Sequence, residues 1–580
     1  MEHTSRPWWR VLAVLALLGL FASACGGDDD PEAEGPEGSI ETGTEGTVAE
    51  VDEITPGGKI IVGLESETNE WSPASGQFAS GGWTVALTFY DPLITIDAEG
   101  EFKPFLAESM EPNEDLTEWT LTLREGVLFH DGTPLDAETL KWNFDTLHFA
   151  DGVRNQGALK TAGVTGMEVV DDLTVKYVLS EPNAAFPDQL RSYAGLPVSQ
   201  VAYEADPVGF SEHPVGTGPF VFQEWRRDDR LIVTKNENYW MKGADGQQLP
   251  YLDEIEFRPI PDDEARVNSL ASDDIQVLQT LRGTSVKRVR ALIDEGGFAG
   301  NLYVGNESSI TVINTLVPPL DDVRIRRALA FANDQEAMAT VRDDDGLVPP
   351  STGFFSSDSP WYSEDAVSEY PAGPDPDAAR ALVEEYMNDA KRSDGKPVGD
   401  PVTINYQCQP DPSLLEGAQL LQGLWGDVGI ELNLEQVDQS TMITNVVGSP
   451  DTETPYLGNF QLTCFRAGGG EGDPLTALQS FFGPVPTSSG NFTNFTSPEI
   501  DEALDTLRTR ADFAERYAAV ETISRIAAQN VPVVWNVGTP TMIGYRDDVV
   551  GIPDWTLPDG SMGQGTPGAR ARFHETFLAQ

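Results

Sequence analysis

Residues 214–240 read PVGTGPFVFQEWRRDDRLIVTKNENYW. The opening Pro214-Val215-Gly216-Thr217-Gly218-Pro219 excludes a helix, because proline locks φ while glycine adopts φ > 0 freely. Two of each in six residues impose a fixed, tight path. Residues 220–225 and 231–235 then read as two strands rich in aromatic and β-branched side chains, joined by the polar Arg226-Arg227-Asp228-Asp229. Asn236-Glu237-Asn238-Tyr239-Trp240 closes the stretch as a polar turn carrying two large aromatics. Alone, this is a well-built β-hairpin of a soluble domain.

Working upstream, Leu123 to Glu138 reads LREGVLFHDGTPLDAE, a strand end, a Gly-Asp turn and a helix start. Asp136 is placed to cap that helix and Glu138 to complement its dipole. His130 and Asp131 are adjacent in an extended segment and point to opposite faces, and no G-x-S-x-G follows, so a catalytic dyad is not expected. Further upstream, Gly57-Gly58 precedes the apolar strand 59–64, read as buried because it barely alternates. A Ser/Gly-rich loop, 72–83, a short helix, 85–90, and Asp91-Pro92-Leu93 come next. Downstream stand Leu249-Pro250-Tyr251-Leu252-Asp253 and Pro319 to Ala332, the latter a helix expected to bury Val323, Ala328, Leu329 and Ala332 and to leave Arg324, Arg326 and Arg327 on a solvated face.

In this order and spacing, P-V-G-T-G-P-F with N-x-x-Y-W, the L-R-E-G-x-x-F-H-D-G segment, Y-D-P-L and L-P-Y-L-D resemble one family. It is the extracytoplasmic solute-binding proteins of the peptide/nickel type, family 5, which deliver ligands to ABC importers. The resemblance implies an α/β, two-lobed periplasmic-binding-protein-like (type II) fold with an additional inserted domain. Lobe I would comprise 57–96, 214–312 and 537–580, the inserted domain 97–213, and lobe II 313–536, with crossings near 310–314 and 531–535. One departure is Leu270 to Gln276, where Asp273 stands for the family's glycine and Gln276 for its acid; aspartate tolerates the left-handed turn better than most residues.

In lobe II, strand 402–408, helix 414–425 and strand 430–434 form a β-α-β unit, hence a right-handed parallel crossover. Cys408 and Cys464 lie on strands that, if neighbours, would place them for a disulfide outside the cell. After Arg466 the chain reads Ala467-Gly468-Gly469-Gly470-Glu471-Gly472-Asp473-Pro474. Peptide-binding relatives carry here an acid that receives the ligand's α-ammonium; the aligned position is Gly470, and Glu471 is one residue later. Open α/β sheets bind at the carboxyl ends of their strands. The expected ligand walls are therefore Ser80, Gly81 and Trp83 on one side, and Phe465, Gly469, Gly470 and Glu471 on the other.

Residues 1–25 read as a targeting segment: Arg6 and Arg10, an apolar run from Val11 to Phe21, then Ala22-Ser23-Ala24 before Cys25. The run is too short for a permanent span, and the pattern resembles a lipobox in which Cys25 becomes the lipidated N-terminus. Residues 26–56 contain no Lys or Arg and few apolar side chains, so they are expected to be a disordered tether of roughly 30 Å r.m.s. span. The predicted location is the outer face of the cytoplasmic membrane or the periplasm.

With 94 acidic against 37 basic residues the formal net charge is −57, which repels nucleic acid and anionic lipid. Three cysteines exclude a disulfide-dense scaffold, and five histidines show no metal-ligand spacing, so neither a metal nor another cofactor is expected. The resulting expectation is a non-enzymatic monomer whose partners are a peptide or other small solute, ABC permease subunits and, through a lipid anchor, the membrane. A secreted hydrolase of peptides or glycans would need a nucleophile or acid pair, and a non-transport surface lipoprotein would usually show repeats; neither signal stands out. Oligosaccharides, chelated metals and other organic solutes stay open as ligands.

Overall fold

The computed structural model describes residues 43–579 except 50–53, 152, 305–306, 343–345, 349, 358, 411, 448–457, 469–471 and 484–490. Lys59–Leu64 lies within an eight-stranded sheet, parallel to Glu254–Pro259 on one side and to Val277–Thr280 on the other. Cover on both faces explains why its apolar run does not alternate. On one flank the sheet continues antiparallel through Arg230–Lys235 and Phe220–Arg226, whose hairpin turns at Asp228 with φ 59°. On the other flank come Thr541–Arg546, Phe298–Tyr303 and Gly43–Gly46. Asp273 takes φ 66°, so the departure from glycine is accommodated in the left-handed region; its carboxylate pairs with Arg546.

The edge strand Gly43–Gly46 corrects the expectation of a tether disordered as far as residue 56. It pairs from Gly43 with Leu302 to Gly46 with Ala299, and Arg290 reaches Glu45 at 3.0 Å. Composition counts side chains available for burial, whereas an exposed sheet edge recruits a strand through its main-chain groups. Cys25 and the rest of that segment up to residue 42 lie outside the described residues.

The second sheet has five strands in the order Ile430–Gln436, Val402–Cys408, Leu462–Gly468, Glu307–Ile313 and Val533–Gly538. The first three run parallel, and Glu307–Ile313 runs antiparallel to both neighbours. All of Glu307–Ile313 therefore belongs to lobe II, so the chain has already left the first sheet before 310–314, where the crossing was expected. The return crossing is Thr539-Pro540, between Val533–Gly538 and Thr541–Arg546. The crossings lie side by side, since the Thr539 amide donates to the Glu307 carbonyl at 2.8 Å. Cys408 and Cys464 are joined by a disulfide with Cα atoms 5.2 Å apart, one step beyond the pairing of Gln407 with Thr463.

Between the two lobe I segments the chain builds a four-stranded antiparallel sheet, ordered Ala107–Pro112, Glu118–Leu123, Thr174–Leu179 and Val164–Val169. Trp119, Leu121, Val175 and Tyr177 alternate onto its own core.

Helix Val323–Phe331 differs from expectation at two positions. Val323 is exposed, and the buried face begins at Ile325 and recurs at 328, 329 and 332. Arg326 is 4% exposed instead of solvated. Its guanidinium donates to Leu320 O at 2.9 Å and to Asn530 O at 2.7 Å, the end of helix Phe513–Asn530. A cation there satisfies orphan carbonyls and complements the helix dipole.

Candidate functional site

The Gly/Pro turn packs against the end of helix Ser80–Phe89. A Cβ on Gly216 would lie 2.1 Å from Phe89 O, and one on Gly218 would lie 2.6 Å from Thr88 O. Neither glycine has positive φ, so closeness of approach, and not backbone freedom, requires them. Imidazole Nε2 of His130 meets Gly218 O at 2.9 Å, and burial holds that ring's pKa down to about 4, leaving it neutral. Asp131 instead accepts from Ser199 and from the Thr133 amide. His130 holds the turn, through its ring on Gly218 O and its amide on Gly216 O, while Asp131 is engaged elsewhere, so the two do not act as a dyad.

Beneath this turn is Asp91, 1% exposed. It accepts from Trp240 Nε1 at 3.0 Å, Tyr239 Oη at 3.2 Å and Thr217 Oγ1 at 3.5 Å. Three sequence motifs therefore converge on one carboxylate. Burial raises its pKa to about 7 against the opposing pull of those donors and of Arg572.

Between the lobes opens a cavity of about 460 Å³. One wall is aromatic: the rings of Phe78, Trp83 and Tyr193 lie 4.8–5.3 Å apart, centroid to centroid, and the Phe78 amide donates to Tyr193 Oη at 2.7 Å. The carboxyl-terminal tail contributes Trp555, Arg570 and Arg572, the segment Phe186–Arg191 supplies Asp188 and Arg191, and lobe II supplies Thr476. Thr476 Oγ1 donates to Asp188 at 2.7 Å, tying the lobes at the cavity's rim. A second compartment of about 500 Å³ shares Gln564 and Gly565 with the first and reaches Ser359 and Pro360 of lobe II.

Of the expected wall residues, Trp83 lines the cavity. Ser80 and Gly81 do not: both lie in the first helical turn instead of a loop, Ser80 donating to Gly568 O and Gly81 buried against Gln279, Ser66 and Leu64. Tertiary packing here overrides glycine's low helix propensity. Phe465 is half-buried and packs on Phe492 with centroids 5.4 Å apart, away from the cavity lining. Gly469, Gly470 and Glu471 lie outside the described residues. Asp473, just beyond them, is spoken for: it caps helix Pro474–Phe482, and both its oxygens bind Arg516 at 2.6 Å. Sequence reasoning missed Tyr193, Thr476, Trp555 and the tail arginines. The signal for the last was Arg570-Ala571-Arg572, a basic pair in a strongly acidic chain.

Two α/β lobes, an inserted antiparallel domain, paired crossings and an interlobe cavity define a two-lobed solute-binding protein of the periplasmic type. A family model described as bacterial extracellular solute-binding proteins, family 5 (middle), matches residues 101–489. The chain belongs to that family. Glutathione-binding protein GsiB of Salmonella paratyphi A is 27% identical over 490 residues, covering 82% of this chain and 88% of its own length. Its counterpart in Escherichia coli O157:H7 is 28% identical over 492 residues with the same coverage. DppA from Helicobacter pylori in complex with peptide STSA shares the fold at TM-score 0.71 and 19% identity, over 91% of this chain and 99% of that one. NikA from Brucella suis in complex with Fe(III)-EDTA does so at TM-score 0.72 and 20% identity, over 89% and 99%.

Proposed function

We propose that the chain is the substrate-binding component of an ABC importer, capturing a peptide or similar small solute between its lobes and delivering it to a membrane permease. The observation that carries this reading is the interlobe cavity, lined by aromatic side chains with a few convergent polar groups and sized for a small ligand. Side-by-side crossings provide a hinge about which the lobes close on ligand. GsiB's binding of glutathione and DppA's peptide support a peptide-like solute. Capture without turnover accords with His130, Asp131, Asp91 and Asp473 each being committed to structural bonds. Among the described residues no helix is long and apolar enough to cross a membrane; attachment through a lipid on Cys25, and action as a monomer, complete the proposal. Trp83 is the ligand-facing residue of the helix wall, and Glu471 is retained as a candidate group for a ligand amine.

Thermal unfolding against di- to hexapeptides, oligosaccharides and metal chelates tests the reading. A specific ligand at 100 times its Kd stabilises by about 2.7 kcal/mol. Absence of a saturable shift across the whole panel would count against solute capture.

A further inference from the structure

We infer that the segment from Glu181 to Asp188 is a latch that holds the inserted domain on lobe II, and that it sets solute affinity from outside the cavity. The affinity role rests on the solute-capture reading above. The Ala184 amide donates to Arg508 O at 2.7 Å. That carbonyl lies in the last turn of helix Pro498–Thr509, beyond the reach of the helix's own amides. The Arg508 guanidinium pairs with Glu181 at 2.5 Å. Ala185, 3% exposed, is the one residue of 97–213 within the lobe II core among the described residues. Its neighbour Phe186 is buried in the inserted domain's own core. Two residues further on, Asp188 accepts from Thr476 at 2.7 Å. A Cβ on Gly472 would collide with Asp188 and Arg191, so lobe II approaches this segment closely.

The inserted domain builds this knuckle by itself. Asn183 finds a partner there for each of its polar groups. Its amide donates to Leu116 O at 3.0 Å, and its carbonyl accepts from Trp119 Nε1 at 3.2 Å. Its Nδ2 donates to Ala162 O at 2.9 Å, and its Oδ1 accepts from the Ala185 amide at 2.9 Å. Lobe II therefore meets a preformed shape. Across the contact stand one methyl group, one main-chain hydrogen bond, one ion pair and the Thr476 bond. Each polar contact shifts an equilibrium by about a factor of a few to ten, and an interface of this kind separates without exposing a core. Glu181, Ala184, Ala185 and Arg508 line neither compartment. A solute that binds only the closed arrangement has an apparent affinity scaled by the closed fraction. Loss of the latch lowers that fraction, and hence affinity, without removing a contact to solute.

The test uses the purified full-length protein, unaltered and as Glu181→Lys, Glu181→Lys with Arg508→Glu, and Ala185→Gln. Glu181 is half exposed, so its replacement leaves every core intact. Calorimetric titration with glutathione and with peptides of two to six residues reads affinity. Small-angle X-ray scattering of the unliganded protein reads the radius of gyration. The expected result for Glu181→Lys is a larger radius and an affinity lower by about three- to tenfold. Ala185→Gln, whose amide cannot enter the lobe II core, should lower affinity by about tenfold or more. The charge-swapped pair should regain part of the loss, which a fault in folding would not allow. Affinity unchanged in both single variants would overturn the inference and leave solute capture standing. If no probe binds, solute capture falls; an unchanged radius in Ala185→Gln then overturns the latch as well, and an increased radius retains it.

Discussion

Asp91 shows how a single residue organises a junction and what that costs. Its carboxyl, pushed by burial from the ordinary 3.8 up to about 7, binds a proton more readily in the folded than in the unfolded chain. A raised carboxyl pKa contributes stability that is full below about pH 4 and lost as pH rises towards 7. The stability difference between the unaltered protein and Asp91→Asn should therefore shift steadily against the unaltered protein between pH 4 and pH 7. Denaturant unfolding at closely spaced pH values measures it, and a constant difference would refute the assignment. Buried His130 and His148, held down to about 4, act with the opposite sign and lose stability as pH falls, which is why the paired variant is needed. That Asp91 matters was only half legible. The motifs around it stood out as residue patterns, but their convergence is tertiary. The same holds for Gly216 and Gly218: the sequence marks a tight path, yet the reason for glycine is the carbonyl of Phe89 and its neighbour, about 130 places distant in no periodic pattern that a linear reading can see.

Among the elements, strands with strong β-branched content were legible almost to the residue, as in the hairpin Phe220–Arg226 and Arg230–Lys235. Those formed from weak sequence were not. Gly43–Gly46 is a strand only because Phe298–Tyr303 offers an open edge, and helix Ser80–Phe89 starts on Ser-Gly-Gly only because Gln279, Phe78 and Thr68 crowd it. Cys408 and Cys464 link parallel neighbours across a sequence separation of 56. A loop of that length constrains the unfolded chain considerably. Replacing both cysteines by serine should lower stability by about 2–4 kcal/mol in chemical denaturation, with the midpoint falling and the slope rising as the denatured state expands. An unchanged midpoint would show that the bridge adds nothing to lobe II.

For the whole molecule, the order of motifs announced two lobes and an inserted domain, whereas the site's composition was largely hidden. The cavity draws on the helix wall, on Phe186–Arg191 and on the tail, segments hundreds of residues apart whose meeting is a product of two sheets joined at adjacent crossings. The lobes also touch away from those crossings: Ala185 lies in the lobe II core, and Leu347 in the core of the eight-stranded sheet. Solute capture at this seam is the central claim. Thr476 is exposed on the lobe II side of the cavity, so Thr476→Trp fills the space without invading a core. The most direct measurement is the affinity of the best ligand for this variant beside the unaltered protein. The account predicts a folded unliganded protein whose melting temperature falls only by what loss of the Thr476–Asp188 hydrogen bond entails, and an affinity lower by at least about tenfold, 1.4 kcal/mol. Undiminished affinity in a folded Thr476→Trp protein would place the ligand elsewhere and contradict the account.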